Sequence, residues 1–469
     1  MDGVRLALGT FRDRIDSLGR PTLRLGVTGL SRAGKTVFIT ALVRALTEGA
    51  RLPMFEARAG GRITRVRLEA QPDDGVPRFQ IEDHADTLVR DRLWPDSTRA
   101  IAQLRLAIDY ESENAWFRRQ RSLALDIIDY PGEWLLDLPL LVQDFAQFSA
   151  RAFDLARSGV RGELASDWLA AIAAVDPFGP PDEALAARLH EAFTAYLRSC
   201  RNDAHALSTL PPGRFLMPGD LEGSPALTFT PLPEAQRPFP RGSFGALMAR
   251  RYEAYKDVVV RPFFRDHFAR LDRQIVLIDA LQAMNAGPEA VADLSRALAD
   301  ILHSFRPGRT NPLTAMFDRR IDRLMVAATK ADHLHRGDHD KLAGIVAQLV
   351  KGATDRADRL GARIDCAALA AVRATLEATE GEGAKALPVI VGTPNAGETI
   401  EGRTFDGNTE IAIFPGDLPS DPRVALEEDQ TDLLRFVRFR PPRLGGRTDP
   451  LPHIRLDRAM QFLIGDRLE

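Results

Sequence analysis

The stretch Leu23-Arg-Leu-Gly-Val-Thr-Gly-Leu-Ser-Arg-Ala-Gly-Lys-Thr-Val-Phe-Ile-Thr-Ala-Leu-Val-Arg-Ala-Leu46 decides the fold. Leu23, Leu25 and Val27 alternate, as in a strand. Val37, Ile39, Leu42, Val43 and Leu46 then recur mostly at three- and four-residue steps, as on one face of a helix. Between them, Gly29 to Thr36 satisfies G-x-x-x-x-G-K-[ST] at every position. Gly29 and Gly34 let the backbone curl so that its N–H groups converge on phosphate oxygens. Gly29, Ser31, Arg32, Ala33, Gly34, Lys35, Thr36 and Val37 are therefore the expected phosphate contacts. Lys35 adds a point charge at the terminal phosphates, and the Thr36 hydroxyl is a candidate Mg²⁺ ligand. The helix that follows turns its positive end toward the same phosphates.

Working outward, the chain has 469 residues, enough for roughly two or three domains or one domain with large insertions. A net charge of −3 argues against bulk nucleic-acid binding. The two cysteines, Cys200 and Cys366, suggest neither a disulfide framework nor a zinc site, and fit a reducing compartment. No apolar run approaches the ~20 residues that span a bilayer, and the charged start carries no secretory pattern. The expectation is a soluble cytoplasmic protein.

Residues 1–20 read as an amphipathic helix, with Val4, Leu8, Phe11, Ile15 and Leu18 on one stripe. An irregular stretch from Gly49 to Ser97 follows, with one strand, Arg62 to Glu69, inside it. Ile101–Tyr110 and Ser122–Asp129 read as an antiparallel strand pair, since their connection is short and polar. Apolar spacing predicts helices near 134–157, 162–175, 182–200 and 242–270, with a proline-rich loop between Leu207 and Arg241. Buried-strand patterns return at Gln274–Leu281 and Ile321–Ala328, each followed by a helix (288–305 and 338–360). Strands are expected at Arg363–Leu369, Leu387–Val391, Glu410–Phe414 and Leu434–Phe439, and a last helix near 454–467. The division expected is a helix at 1–20, a nucleotide-binding domain in two parts (21–157 and 271–380), a helical insertion at 158–270, and C-terminal strands and helix at 381–469.

The strand ending in Asp129-Tyr130-Pro131-Gly132-Glu133-Trp134 places an aspartate where a phosphate-loop protein holds Mg²⁺. Gly132, three residues on, is placed to bond a γ-phosphate and sense its loss. Thr98 is the candidate threonine of a first switch and a metal ligand alongside Thr36 and Asp129; Ser97 and Thr87 are alternatives. Glu133 stands where related sites carry a water-orienting glutamine, so it is either a base or turned away. Arg32 is either a cis-acting arginine finger or a surface arginine pairing with the insertion, and Arg99 is a second finger candidate. The candidate catalytic set is thus Lys35, Gly132, Glu133 and Arg32.

Thr329-Lys330-Ala331-Asp332 directly follows a strand. These residues resemble the [NT]-Lys-x-Asp motif of Ras-like GTPases, whose aspartate accepts two hydrogen bonds from guanine N1–H and N2–H₂, an arrangement adenine does not offer. The resemblance makes Lys330 and Asp332 guanine contacts, and extends to Cys366-Ala367-Ala368 as the last guanine motif, with Ala367 and Ala368 at the base. An ATP-using enzyme and a nucleotide-stabilised, partner-binding scaffold stand as the alternatives.

Gly29-Leu-Ser-Arg-Ala-Gly-Lys-Thr-Val-Phe38, Trp94-Pro-Asp-Ser-Thr98, Ile128-Asp-Tyr-Pro-Gly-Glu-Trp134 and Phe436-Val-Arg-Phe-Arg-Pro-Pro442 resemble signatures of the YcjX-like family of bacterial P-loop proteins. The resemblance implies an α/β P-loop NTPase fold: a Ras-like, mostly parallel sheet flanked by helices, with a large helical insertion and a C-terminal extension. It also implies nucleotide and Mg²⁺ binding and a stress-linked role in the cytoplasm, with peripheral contact to the inner membrane open. With Thr329–Asp332 as a guanine motif, the expected nucleotide is GTP/GDP and the expected activity a slow GTPase switch. A protein partner is expected at residues 158–270. The arginines Arg435, Arg438, Arg440, Arg443 and Arg447 read as one face of a half-buried strand, with Phe436 and Phe439 on the other.

Overall fold

The computed structural model describes residues 20–30, 32–96, 100–113, 120–202, 204–304, 321–357, 362–381, 386–400, 402–427, 436–446 and 449–469. Residues 1–19 of the helix expected at 1–20, and Ser31, Ser97, Thr98, Arg99, Arg435 and Arg447, lie outside the described residues.

Strand β1 (Thr22–Gly29) is the axis of a seven-stranded sheet of order β2-β3-β4-β1-β5-β6-β7. Its neighbours are β4 (Gln120–Asp129) and β5 (Arg273–Ile278), both parallel to it. Beyond β5 lie β6 (Arg323–Ala328) and β7 (Arg363–Ala368), again parallel. On the other side β3 (Ala102–Glu111) and β2 (Ile63–Glu69) run antiparallel. Strands β5 and β6 read as continuous apolar runs because helices cover both their faces. The mostly parallel sheet flanked by helices is the Ras-like P-loop architecture.

One face is closed by α1 (Lys35–Thr47), which packs Phe38, Ile39 and Leu42 on Leu23, Leu25 and Val27. Helix α2 (Ile81–Val89) lies inside the stretch expected to be irregular. Its pattern is hard to read because only Ile81 and Leu88 are buried. The segment expected to be helical from 134 begins instead as a 3₁₀ turn series, Gly132–Val142, containing Pro139. Proline lacks the N–H an α-helix needs there. Helix α3 (Phe145–Ala156) starts afresh from a capping box between Asp144 and Gln147.

The insertion continues with α4 (Ser166–Ala173), α5 (Glu183–Arg201) and α6 (Phe244–Tyr255). Trp168 is its hub: fully buried, stacked between Phe153 and Tyr196, and donating its indole N–H to Thr230 Oγ1 at 3.0 Å. β5 stops at Ile278, shorter than its apolar run, because Asp279 caps a short helix, Ala280–Asn285. Helix α7 (Pro288–Ser304) ties the insertion to the sheet. Asp293 on α7 accepts the Arg161 guanidinium at 3.1 Å and the N–H groups of Ser208 and Thr209 at 2.7 and 2.8 Å. A single apolar cluster runs from Leu30 and Ile128 through the insertion to α7 and α8 (His339–Ala357), so insertion and sheet share one core.

After β7, strands β8 (Leu376–Glu380), β9 (Leu387–Gly392) and β10 (Ile411–Ile413) form a small antiparallel sheet. Of the expected strand 434–439, the described part makes only an isolated bridge between Phe439 and Pro394. Terminal helix α9 (Leu456–Ile464) returns to the main sheet, where the buried Arg273 at the foot of β5 donates to Leu463 O at 3.2 Å and Asp466 at 2.8 Å. Among the described residues, no helix is long and apolar enough to cross a membrane.

Arg161 and Asp293 are both nearly inaccessible. Asp293→Ala would strand a buried guanidinium, and is expected to lower the unfolding free energy by about 3–5 kcal/mol, read as a fall in the urea midpoint.

Candidate functional site

In an open parallel sheet, ligands sit beyond the carboxyl ends of the strands, where the winding reverses. Here β1 ends at Gly29, β4 at Asp129, β5 at Ile278 and β6 at Ala328, all on one edge. A cleft of about 250 Å³ opens there. Its floor is Arg32 to Val37 of the glycine loop, and one wall is Thr329, Lys330, Asp332 and His333. The structure thus brings together the two motifs that the sequence separates by some three hundred positions.

The loop geometry follows from its residues. Gly34 takes φ 77° and Arg32 φ 58°, both left-handed. Glycine does this freely, whereas an arginine there carries steric strain. Lys35 and Thr36 are buried at the start of α1, and Thr36 Oγ1 lies 3.5 Å from Asp96 O, just before the expected first-switch threonine. Asp129 is buried at the tip of β4, opposite Val27 of β1.

Lys330 also sits in the left-handed region, at φ 59°, and its ammonium pairs with Asp279 at 2.5 Å. The following 3₁₀ turn is anchored by Ala331 N–H donating to Leu369 O at 3.1 Å. Asp332 Oδ2 accepts the Ala374 N–H at 2.7 Å, and the Thr375 hydroxyl donates to Asp332 O. Burial raises the Asp332 carboxyl to about 6, against the Ala374 N–H, Arg373 and Lys330, which lower it. Burial also drops the neighbouring His333 to about 3, helped by Lys330, so it is a neutral ring packed on Phe436 and Phe439.

One placement differs from expectation, that of Ala367 and Ala368. Ala367 and Ala368 are fully buried within β7, opposite Ala327 and Ala328, and the cleft is lined instead by Ala370, Ala371 and Val372. The strand runs to the end of the motif, so the loop that reaches the cleft begins beyond it. Glu133 is buried and held by Arg201 of α5 at 2.7 Å, which turns it toward the insertion. Arg32 lines the cleft, its pKa lowered by burial and by the like charges of Arg438 and Arg201.

Gly132 lies against the glycine loop: a Cβ there would stand 1.8 Å from Gly29 O. A Cβ on Gly213 of the insertion would likewise stand 1.8 Å from Glu133 O. Asp137 closes this junction, accepting the Gly213 N–H at 2.7 Å and the Tyr255 hydroxyl at 2.6 Å. The Arg214 guanidinium lies 3.2 Å from the centre of the Trp134 ring, and the Trp134 indole donates to Met217 O at 3.1 Å.

Sequence reasoning missed the remaining wall. Trp94, Pro95, Asp96, Asn395, Arg438 and Phe439 all line the cleft. Trp94 donates its indole N–H to Phe439 O at 2.6 Å, and Arg92 its Nε to Pro441 O at 3.1 Å. Both segments were legible as family signatures, though not as neighbours. Arg201 carried no local signal at all.

The YcjX-like family (DUF463) profile matches residues 23–468. The chain belongs to the YcjX-like family. The chain is 38% identical over 461 residues to "Ras-like GTPase YcjX" of Escherichia coli (strain K12), covering 95% of this chain and 96% of that protein. It is 32% identical over 474 residues to "Ras-like GTPase YcjX" of Shewanella oneidensis, covering 95% of each.

The raised Asp332 carboxyl has a stability consequence. An unfolded aspartate titrates near 3.9, so the folded state holds the proton more tightly, and ionisation costs stability as pH rises through that value to about 6. Below about pH 4 the cost is absent. Asp332→Asn should therefore stabilise the nucleotide-free protein by about 3 kcal/mol at pH 8 and by almost nothing at pH 4, checked by urea unfolding at both.

Proposed function

We propose that this protein binds guanine nucleotide with Mg²⁺ and hydrolyses GTP slowly, as a switch. The observation that carries this is the shared cleft of Lys35, Thr36, Lys330 and Asp332. Loop N–H groups and Lys35 bind the β- and γ-phosphates. The base lies toward Asp332, whose carboxylate, oriented by the Ala374 N–H, accepts guanine N1–H and N2–H₂. Ala371 and Val372, rather than Ala367 and Ala368, offer backbone at the far side of the base.

Thr36 and Asp129 supply oxygen donors that suit Mg²⁺, a hard cation usually held by one or two carboxylates plus substrate phosphates. Among the described residues no cluster of three or more His, Cys, Asp or Glu is placed to hold a metal, so the ion would depend on nucleotide oxygens. Bound there, Mg²⁺ would neutralise charge on the phosphates. Thr98 is its further candidate ligand. Gly132 senses the γ-phosphate from its position against Gly29, and loss of that phosphate loosens the junction with the insertion. The names of the two relatives support the GTPase reading. From the family resemblance we carry over a stress-linked role in the cytoplasm; a protein partner at residues 158–270 is our own reading of the insertion.

A thermal-shift titration with Mg²⁺ and GDP, GTP, ADP or ATP tests this. Guanine nucleotide at a hundredfold over its Kd should add about 2.7 kcal/mol, Lys35→Ala should abolish the shift, and Asp332→Asn should move the preference toward xanthosine nucleotides. Stabilisation by ADP and ATP alone would overturn the guanine reading.

A further inference from the structure

Arg201 is the last residue of α5, in the insertion, yet it faces the nucleotide-binding edge of the sheet. A small cavity beside the main cleft is lined by Arg201, Arg32, Leu30, Lys330 and Asp279 among others. Arg201 therefore borders the glycine loop itself. Its guanidinium is held by Glu133 at 2.7 Å. Glu133 follows Gly132, whose backbone is pressed against Gly29. Two independent placements, one by the second-switch segment and one by the loop, bring this arginine to the side of the loop where the terminal phosphate would lie.

Glu133 is buried and its carboxylate is engaged, so it is poorly placed to act as a base near a triphosphate. An acid that pairs with a cation next to phosphates is better used to hold that cation in place. The glutamate also offsets part of the repulsion between Arg201 and Arg32, which otherwise crowds two guanidinium groups at one edge. The insertion fixes the other end: Leu207 and Ser208 line the same small cavity, and Ser208 and Thr209 are bonded to Asp293 of α7.

We propose that Arg201 is a catalytic residue for GTP hydrolysis, supplied by the insertion and positioned by Glu133, which stabilises the charge that develops on the phosphates. The proposal rests on the GTP reading of the cleft. In the step, a water oxygen attacks the γ-phosphorus and forms the new P–O bond. The bond from that phosphorus to the β–γ bridging oxygen breaks, and its electron pair stays on GDP. Both water protons leave with inorganic phosphate, as dihydrogen phosphate, and any surplus proton is then released to solvent. Negative charge grows on the bridging oxygen and spreads over the γ-oxygens, where a guanidinium donates two N–H groups. Arg201 acts on this transition state and not on ground-state binding, so its loss should lower the rate and spare affinity. Glu133 acts through Arg201 and is a positioning residue.

The test is single-turnover hydrolysis by full-length Arg201→Ala and Arg201→Lys proteins, with GTP and GDP affinities measured separately on each. Arg201→Ala should hydrolyse GTP at least about a hundredfold more slowly, with GTP affinity within about threefold of the parent. Added guanidinium ion, well below denaturing concentration, should restore part of the Arg201→Ala rate and leave the parent unchanged. Arg201→Lys, which keeps the charge and the salt bridge but not the planar fork, should fall between the two. A rate within about twofold of the parent, or a loss that guanidinium does not rescue, would overturn the assignment. Parent protein that binds GTP without hydrolysing it overturns the catalytic role and leaves the binding reading intact. Parent protein that binds no guanine nucleotide fails the cleft reading itself.

Discussion

Everything at the candidate site depends on one backbone contact. Gly132 lies so close to Gly29 that no side chain fits between them. The phosphate loop and the segment after β4 are therefore one mechanical unit. From Gly132 the contact passes directly into the insertion, because the next carbonyl is pressed against Gly213, and Asp137 and Trp134 are gripped by Gly213, Tyr255, Met217 and Arg214. A packed interface of this kind transmits displacement because it cannot deform smoothly. The insertion shares an apolar cluster with the sheet, so a displacement of the glycine loop reaches it through packed side chains.

A second route leaves the cleft at its opposite wall. Trp94 and Arg92 precede the expected first-switch threonine, and both hold backbone carbonyls of the segment Phe439 to Pro441. That segment rests on the small sheet through Phe439, Ile390, Phe405 and Ile413. Each of the two segments proposed as switches thus packs against its own neighbour, one helical and one β. The terminal helix α9, by contrast, packs under the main sheet and braces β5 through Arg273.

The sequence disclosed the parts whose identity is set by local chemistry. Gly34 and Lys35 were legible because a phosphate cradle admits few residues at those positions, and β5 and β6 because strands covered on both faces must be apolar throughout. What was hidden depends on distant neighbours. Ala367 and Ala368 matched a short pattern only in part, with Ala367 in place of its serine, and the length of β7, set by pairing with β6, carries them into the core and leaves Ala370 to Val372 at the cleft. Phe439 alternates with arginines as a strand residue would, yet it is claimed by Trp94 and His333 rather than by a ladder. Arg201 looks like any helix-terminal arginine until Glu133 is seen beside it.

The wall formed by Asn395, Arg438 and Phe439 has a consequence for how the protein is made. Lys35 and Arg438 face one cleft although 403 residues separate them, from 438 − 35. At ordinary synthesis speeds of about 5–20 residues per second, the ribosome delivers the last wall roughly 20–80 s after the first. A nascent chain thus displays its phosphate loop long before the pocket can close. Nucleotide retained in a closed cleft would mark a chain that has been translated to its end and folded.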